Sequence, residues 1–129
     1  MLDTNICIYI AKRKPPAALA RFERLKPGEA TLSVVTYGEL RFGAEKSKHR
    51  EAVLKDLDEL TSILPVRSLP VSAAEEYGRI RSHLEGRGQP IGGNDLWIAA
   101  HASAEDLVLV TNNSREFDRV PGLKIQNWA

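Results

Sequence analysis

Residues 93–113 read GNDLWIAAHASAEDLVLVTNN. Leu96, Ile98, Ala99, Ala102 and Ala104 mark a helix in the first half of this stretch. Leu107-Val108-Leu109-Val110 follow, and then the polar Thr111-Asn112-Asn113. A half-exposed strand alternates apolar and polar residues. Four apolar residues in a row instead predict a strand covered on both faces, as in a parallel sheet. The same grammar recurs outward from here. Met1-Leu2 is a short apolar strand ending at Asp3, and Thr4 or Asn5 opens a helix through Ile10. Residues 30–35 read as a second buried strand, with Ser33 placed to cap a helix reaching about Lys46. Residues 64–66 and 123–125 are further short strands. Pro15-Pro16 suit the first turn of a helix over 17–25. Val53, Leu57, Leu60 and Ile63 recur at helical spacing, and Ser72 opens a helix to about Leu84. Lys26-Pro27-Gly28-Glu29 read as a turn, and the glycines between 86 and 93 as a flexible loop. Strands alternating with helices predict an α/β fold with a mostly parallel central sheet, whose ligands sit at the carboxyl ends of the strands.

A chain of 129 residues fits one domain, 1–129, and is long enough to bury a core without disulfides. The single cysteine, Cys7, lies in an apolar stretch and reads as a core thiol. There is no basic-then-apolar leader and no apolar run long enough to cross a bilayer, so the cytoplasm is the expected compartment and no membrane partner is expected. The net charge of +1 makes the whole chain no electrostatic binder of nucleic acid. Its cations are grouped, however, in Lys12-Arg13-Lys14 and in Lys46, Lys48, His49 and Arg50.

Asp3 and Thr111 each stand directly after an apolar strand. Glu39 lies in the helix after the second strand, and Asp95 follows the glycine loop and opens a helix. Each comes from what a parallel sheet makes a single edge. Singly, each has a plain structural explanation as a cap, turn or solvated charge. Gathered in a cleft, such carboxylates repel one another unless a cation sits among them. Hard oxygen ligands suit Mg²⁺ or Mn²⁺ rather than zinc, and His49, His83 and His101 lack zinc spacing. At a helix N-terminus, Asp95 is expected to be kept ionised by the helix dipole. A carboxylate-held divalent site activates water for in-line attack on phosphorus and stabilises the departing oxygen. No Ser-His-Asp grouping, glycine-rich phosphate loop or dinucleotide fingerprint offers another chemistry.

Four segments carry a resemblance: Met1-Leu2-Asp3-Thr4-Asn5, Tyr37-Gly38-Glu39-Leu40, residues 92–100, and Val110-Thr111-Asn112-Asn113-Ser114-Arg115-Glu116-Phe117. In this order they resemble the successive motifs of PIN-domain ribonucleases, most closely the VapC toxins of bacterial toxin–antitoxin pairs. The closing Val120-Pro121-Gly122-Leu123 and Asn127-Trp128 are similar to one VapC branch. The resemblance spans the chain. It implies a three-layer α/β/α sandwich, Mg²⁺- or Mn²⁺-dependent endoribonuclease activity, and a cognate antitoxin that blocks the cleft. It makes Asp3, Glu39, Asp95 and Glu116 the catalytic, metal-binding acids, with Asn5 and Thr111 as polar supports. Glu116 stands where the family usually has an aspartate, and Asp118 is the alternative fourth acid. The branch points to structured RNA such as transfer RNA as substrate. It also implies a homodimer, for which Leu19, Phe22, Leu25, Leu57, Leu60 and Ile63 supply apolar surface. Two rival readings keep the residues but change the chemistry. One is a non-catalytic PIN-like RNA-binding or interaction module. The other is a phosphatase using Asp3 as nucleophile, which usually wants a second acid where Asn5 stands.

Overall fold

Every strand is only two residues long, and the sheet is held together by the first three residues of the chain. The computed structural model describes residues 1–128. β1 (Leu32–Ser33) pairs in parallel with β2 (Val66–Arg67), and β3 (Leu109–Val110) in parallel with β4 (Ile125–Gln126). Leu2 bridges the two pairs. It forms a parallel bridge to Val110, and its N–H donates to Thr31 O at 2.8 Å. Val110 N–H donates to Met1 O at 2.8 Å, and Asp3 N–H donates to Val110 O at 2.9 Å. The lateral order is therefore β2, β1, residues 1–3, β3, β4.

Neighbouring strand residues point to opposite faces, which makes two cores. Leu2, Leu32 and Val110 join Ile6, Cys7 and Ile10 of α1 (Thr4–Lys12), Ala18 of α2 (Pro16–Glu23), and Leu57 and Leu60 of α4 (Arg50–Ile63). Met1 and Leu109 join Ile80 and Leu84 of α5 (Val71–Gly86), Leu96, Ile98 and Ala99 of α6 (Gly93–Ala104), and Phe117 of α7 (Ser114–Phe117). Each fully buried Leu, Ile or Phe contributes about 1.5–3 kcal/mol, so both faces of even so short a sheet are well anchored. Helices on both faces of a parallel sheet are the expected α/β sandwich. Cys7 is fully buried, and burial pushes its thiol well above the ordinary range, as a core thiol requires. Among the described residues, no helix is long and apolar enough to cross a membrane.

The boundaries differ from the sequence reading where caps overrule composition. Residues 30–35 were expected to be strand, but Val34 and Val35 belong to α3 (Val34–Glu45). Ser33 accepts a hydrogen bond from Val35 N–H at 3.1 Å, and this cap outweighs the β preference of two valines. α5 starts at Val71 after Pro70, not at Ser72, with no side-chain cap. The last strand falls at 125–126 rather than 123–125, and α7 was not foreseen. The loop before α6 is pinned rather than free. Gln89 N–H donates to Leu84 O at 2.9 Å, and Arg119 Nη1 to Pro90 O at 3.1 Å.

Ser33 also starts a buried polar chain. His101 Nδ1 lies 2.8 Å from Ser33 Oγ, and its Nε2 lies 2.8 Å from Glu105 Oε1. Glu105 in turn pairs with Arg67. This chain ties the start of α3, which carries Glu39, to α6, which carries Asp95, and to β2.

Candidate active site

A parallel sheet ends all its strands at one edge, and each of the four acids hangs from that edge or from a helix start beside it. Asp3 follows Leu2 directly and caps α1, accepting from Ile6 N–H at 3.1 Å through Oδ1. Its Oδ2 accepts a short hydrogen bond from the Thr111 hydroxyl, and Thr111 Oγ1 accepts from Asn113 N–H at 2.9 Å. Asp3 is only 5% exposed. Burial pushes its pKa up, against the pull of Thr111 and the Ile6 and Asn5 N–H groups. Thr111 thus supports Asp3 directly. Asn5 supports it through its backbone, while the exposed Asn5 side chain reaches Asn112 Oδ1 at 3.4 Å.

Asp95 sits in the first turn of α6, whose cap is Gly92. Here the expectation from the helix dipole is overturned. Burial, then the charge and hydrogen bond of Glu116, then the charges of Glu39 and Asp3, push the Asp95 carboxyl up to about 7. A dipole contribution of about 0.3–1 kcal/mol is too small to offset desolvation plus three carboxylates. Asp95 and Glu116 therefore form a hydrogen-bonded acid–carboxylate pair. Glu116 is the charged member. Burial raises its pKa, but Asn113, Gly92 and Asp95 outweigh that and hold it below the usual range. Its Oε1 accepts from Gly92 N–H at 3.0 Å and its Oε2 from Asn113 Nδ2 at 2.8 Å. Glu39, on the second turn of α3, keeps a buried Oε1 with no hydrogen-bond partner.

The structure thus brings Asp3, Glu39, Asp95 and Glu116 into one electrostatic neighbourhood. Asp118, one turn past Ser114, is exposed and outside it. No three Asp, Glu, His or Cys side chains among the described residues are gathered tightly enough to grip one ion. The donor set nonetheless fits a hard divalent cation. It consists of oxygens, one of them a buried orphan, and burial with mutual repulsion raises the Asp95 pKa, which a cation would relieve. The sequence reading missed Gly92 and Asn113 as the clamp on Glu116. Both lay within the quoted motifs, but neither was given a role there, and Gly92 was otherwise read as part of the glycine loop.

The geometry predicts unequal effects at the fourth position. Glu116→Gln removes a charge and sets an amide N–H₂ against the Gly92 or Asn113 donor. Divalent-ion affinity should fall about 10–100-fold, with part of the turnover recovered at high Mn²⁺. Asp118→Asn should change neither quantity. Calorimetric Mn²⁺ titration of the two variants checks this, and the opposite ranking would move the fourth acid to Asp118.

Residues 1–123 match the family model of the PIN domain. The chain is 43% identical over 129 residues to the ribonuclease VapC2 of Haemophilus influenzae, covering 100% of this chain and 97% of that one. It is equally 43% identical, with the same coverage, to the tRNA(fMet)-specific endonuclease VapC of Shigella flexneri. Its structure superposes on that of the DNA-bound VapBC of Salmonella typhimurium with a TM-score of 0.94. The identity there is 43%, covering 100% of this chain and 97% of that one.

Proposed function

The chain belongs to the PIN-domain family, among the VapC ribonucleases, and from that premise we propose that it is the toxin of a toxin–antitoxin pair acting in the cytoplasm. Its activity, in this reading, is Mg²⁺- or Mn²⁺-dependent endonucleolytic hydrolysis of RNA, carried out by residues 1–129 as one nuclease domain. The observation that carries the reading is the gathering of Asp3, Glu39, Asp95 and Glu116 at one edge of the sheet, with Thr111 bonded to Asp3 and with Gly92 and Asn113 bonded to Glu116; burial and the other three acids together raise the Asp95 pKa. Four acids from four separate elements act on one another where the strands end.

Asp3, Glu39, Asp95 and Glu116 would hold the divalent ion. When bound, that ion supplies an activated water and neutralises charge at the phosphodiester. The chain's own part is positional. Thr111 and the start of α1 fix Asp3, and Gly92 and Asn113 fix Glu116. Asp95 gives up the proton it shares with Glu116 before it can act as a ligand. Ion uptake therefore releases a proton, and apparent Mn²⁺ affinity should rise about tenfold per pH unit below pH 7, then level off.

The tRNA specificity of the Shigella relative makes transfer RNA the first substrate to test. Purified protein with Mn²⁺ should cleave transfer RNA at a discrete position. Chelation should stop the reaction and added Mn²⁺ restore it. No cleavage of any RNA by folded, Mn²⁺-saturated protein would leave the non-catalytic module standing.

The VapBC complexes support a cognate protein partner, and we infer that it closes the cleft. An acidic cleft is best covered by arginine, whose planar fork binds carboxylates in pairs. We infer an antitoxin Arg or Lys among Asp3, Glu39 and Asp95, competing with Mg²⁺. A homodimer completes the reading. Leu57 and Leu60 are core residues, but Ile63 is 48% exposed. Together with the half-buried Leu19 and Phe22 it lines an open groove of about 390 Å³ between α1, α2 and α4. Sedimentation at a single-chain mass, or a complex that leaves the acids open to Mg²⁺, would overturn these two assignments.

A further inference from the structure

Three buried side-chain oxygens among the described residues have no hydrogen-bond partner: Thr4 Oγ1, Thr36 Oγ1 and Glu39 Oε1. Nearly all buried polar groups are paired, so such orphans call for an explanation. These three are not scattered. Thr4 follows Asp3, and Thr36 precedes Glu39 by one helical turn.

Thr36 is the sharpest case, with no exposed surface at all. A threonine inside a helix usually satisfies its hydroxyl on the carbonyl of the preceding turn. Thr61 does so in α4, donating to Leu57 O at 3.1 Å. Thr36 makes no such bond. Residues three apart share a helix face, and helical side chains lean toward the N-terminus. Helix geometry therefore places Glu39 on the face that carries Thr36, one turn back. One turn thus holds a donor without an acceptor, and the next an acceptor without a donor. Valine would fill the space of Thr36 without leaving a hydroxyl unpaired.

We propose that Thr36 is a positioning residue for Glu39, its buried hydroxyl donating to Glu39 Oε1 once a divalent cation draws the carboxylate into place. The other carboxylate oxygen would then be left to hold the ion, and the hydroxyl would fix which oxygen that is. This inference rests on the reading of the four acids as a divalent-ion site.

The test uses the full chain and Mn²⁺ without RNA, with binding followed by calorimetry and stability by thermal melting. Thr36→Val should raise the metal-free melting temperature by about 3 °C, because an unpaired buried hydroxyl is gone. The same variant should bind Mn²⁺ about tenfold more weakly. Thr36→Ser, which keeps the hydroxyl, should stay close to wild-type affinity. Thr36→Ala serves as a second hydroxyl-free variant should valine fail to fold. Wild-type affinity in the hydroxyl-free variants would make Thr36 a packing residue and overturn the inference alone. A wild-type protein that takes up no Mn²⁺ would overturn the ion site itself, and this inference with it.

Discussion

Asp95→Asn is expected to abolish RNA cleavage while making the metal-free protein more stable above neutral pH. The side chain has nearly the same shape, so the fold survives, but one of the four carboxylates proposed to hold the ion is lost. Turnover at saturating Mg²⁺ should fall on the order of 10³-fold. The stability effect has a definite sign. The Asp95 pKa lies at about 7 in the folded chain, against 3.8 for an ordinary aspartate. An acid raised by folding binds more protons folded than unfolded between those two values. Its protonated form is accommodated, and stability is lost as pH rises from about 4 through 7. Asparagine has no charge to desolvate. The melting temperatures of mutant and wild type should therefore nearly coincide at pH 4 and diverge toward pH 8, with the mutant higher. A gap that shrinks with rising pH would mean that Asp95 is ionised without strain in the folded chain. Cleavage at the wild-type rate would remove Asp95 from the site.

Asp3→Ala should lose both activity and stability, unlike any change at Asp95. Asp3 is at once helix cap and partner of Thr111, and the proposed function makes it an ion ligand as well. Losing the cap on α1 costs about 1 kcal/mol. Leaving the fully buried Thr111 hydroxyl without its acceptor costs a further ~1–3 kcal/mol. The expected fall in melting temperature is roughly 10 °C. Cleavage by the folded fraction should drop on the order of 10³-fold, as for Asp95→Asn. Asp3→Asn separates the two roles. Its amide oxygen still caps α1 and its N–H₂ group still reaches Thr111, so stability should drop much less while activity is equally lost. Equal melting temperatures for the alanine variant and the wild type would show that the cap and the Thr111 bond are not holding the strand end.

How legible this was depends on which interactions are local. Helices α1, α3, α4 and α6 could be placed from apolar spacing and from Ser33 as a cap, because both signals act within a turn or two of chain. Leu107 to Val110 disclosed a parallel sheet because burial on both faces leaves no room for alternation. The strand at 30–35 was overdrawn for the converse reason. Two valines favour a strand until a neighbouring serine captures the Val35 N–H. Asp3, Glu39, Asp95 and Glu116 could be nominated from motif order and from their places at strand and helix ends.

Three things waited for the tertiary structure. The first is that Glu116, and not Asp118, faces Asp95. The two stand two residues apart on one helical turn, and only the positions of Gly92 and Asn113 select between them. The second is the charge state of Asp95. A local argument, the helix dipole, makes it an anion, whereas burial, and then the carboxylates of residues 116, 39 and 3, push its pKa up to about 7. The third is the orphaned hydroxyl of Thr36, since nothing in a helix sequence says that a threonine will forgo its own backbone. Elements, caps and candidate acids follow from short-range sterics and hydrogen bonding, which the sequence by itself determines. Desolvation and the coupling of charges depend on which distant segments are brought together, and those only the folded chain decides.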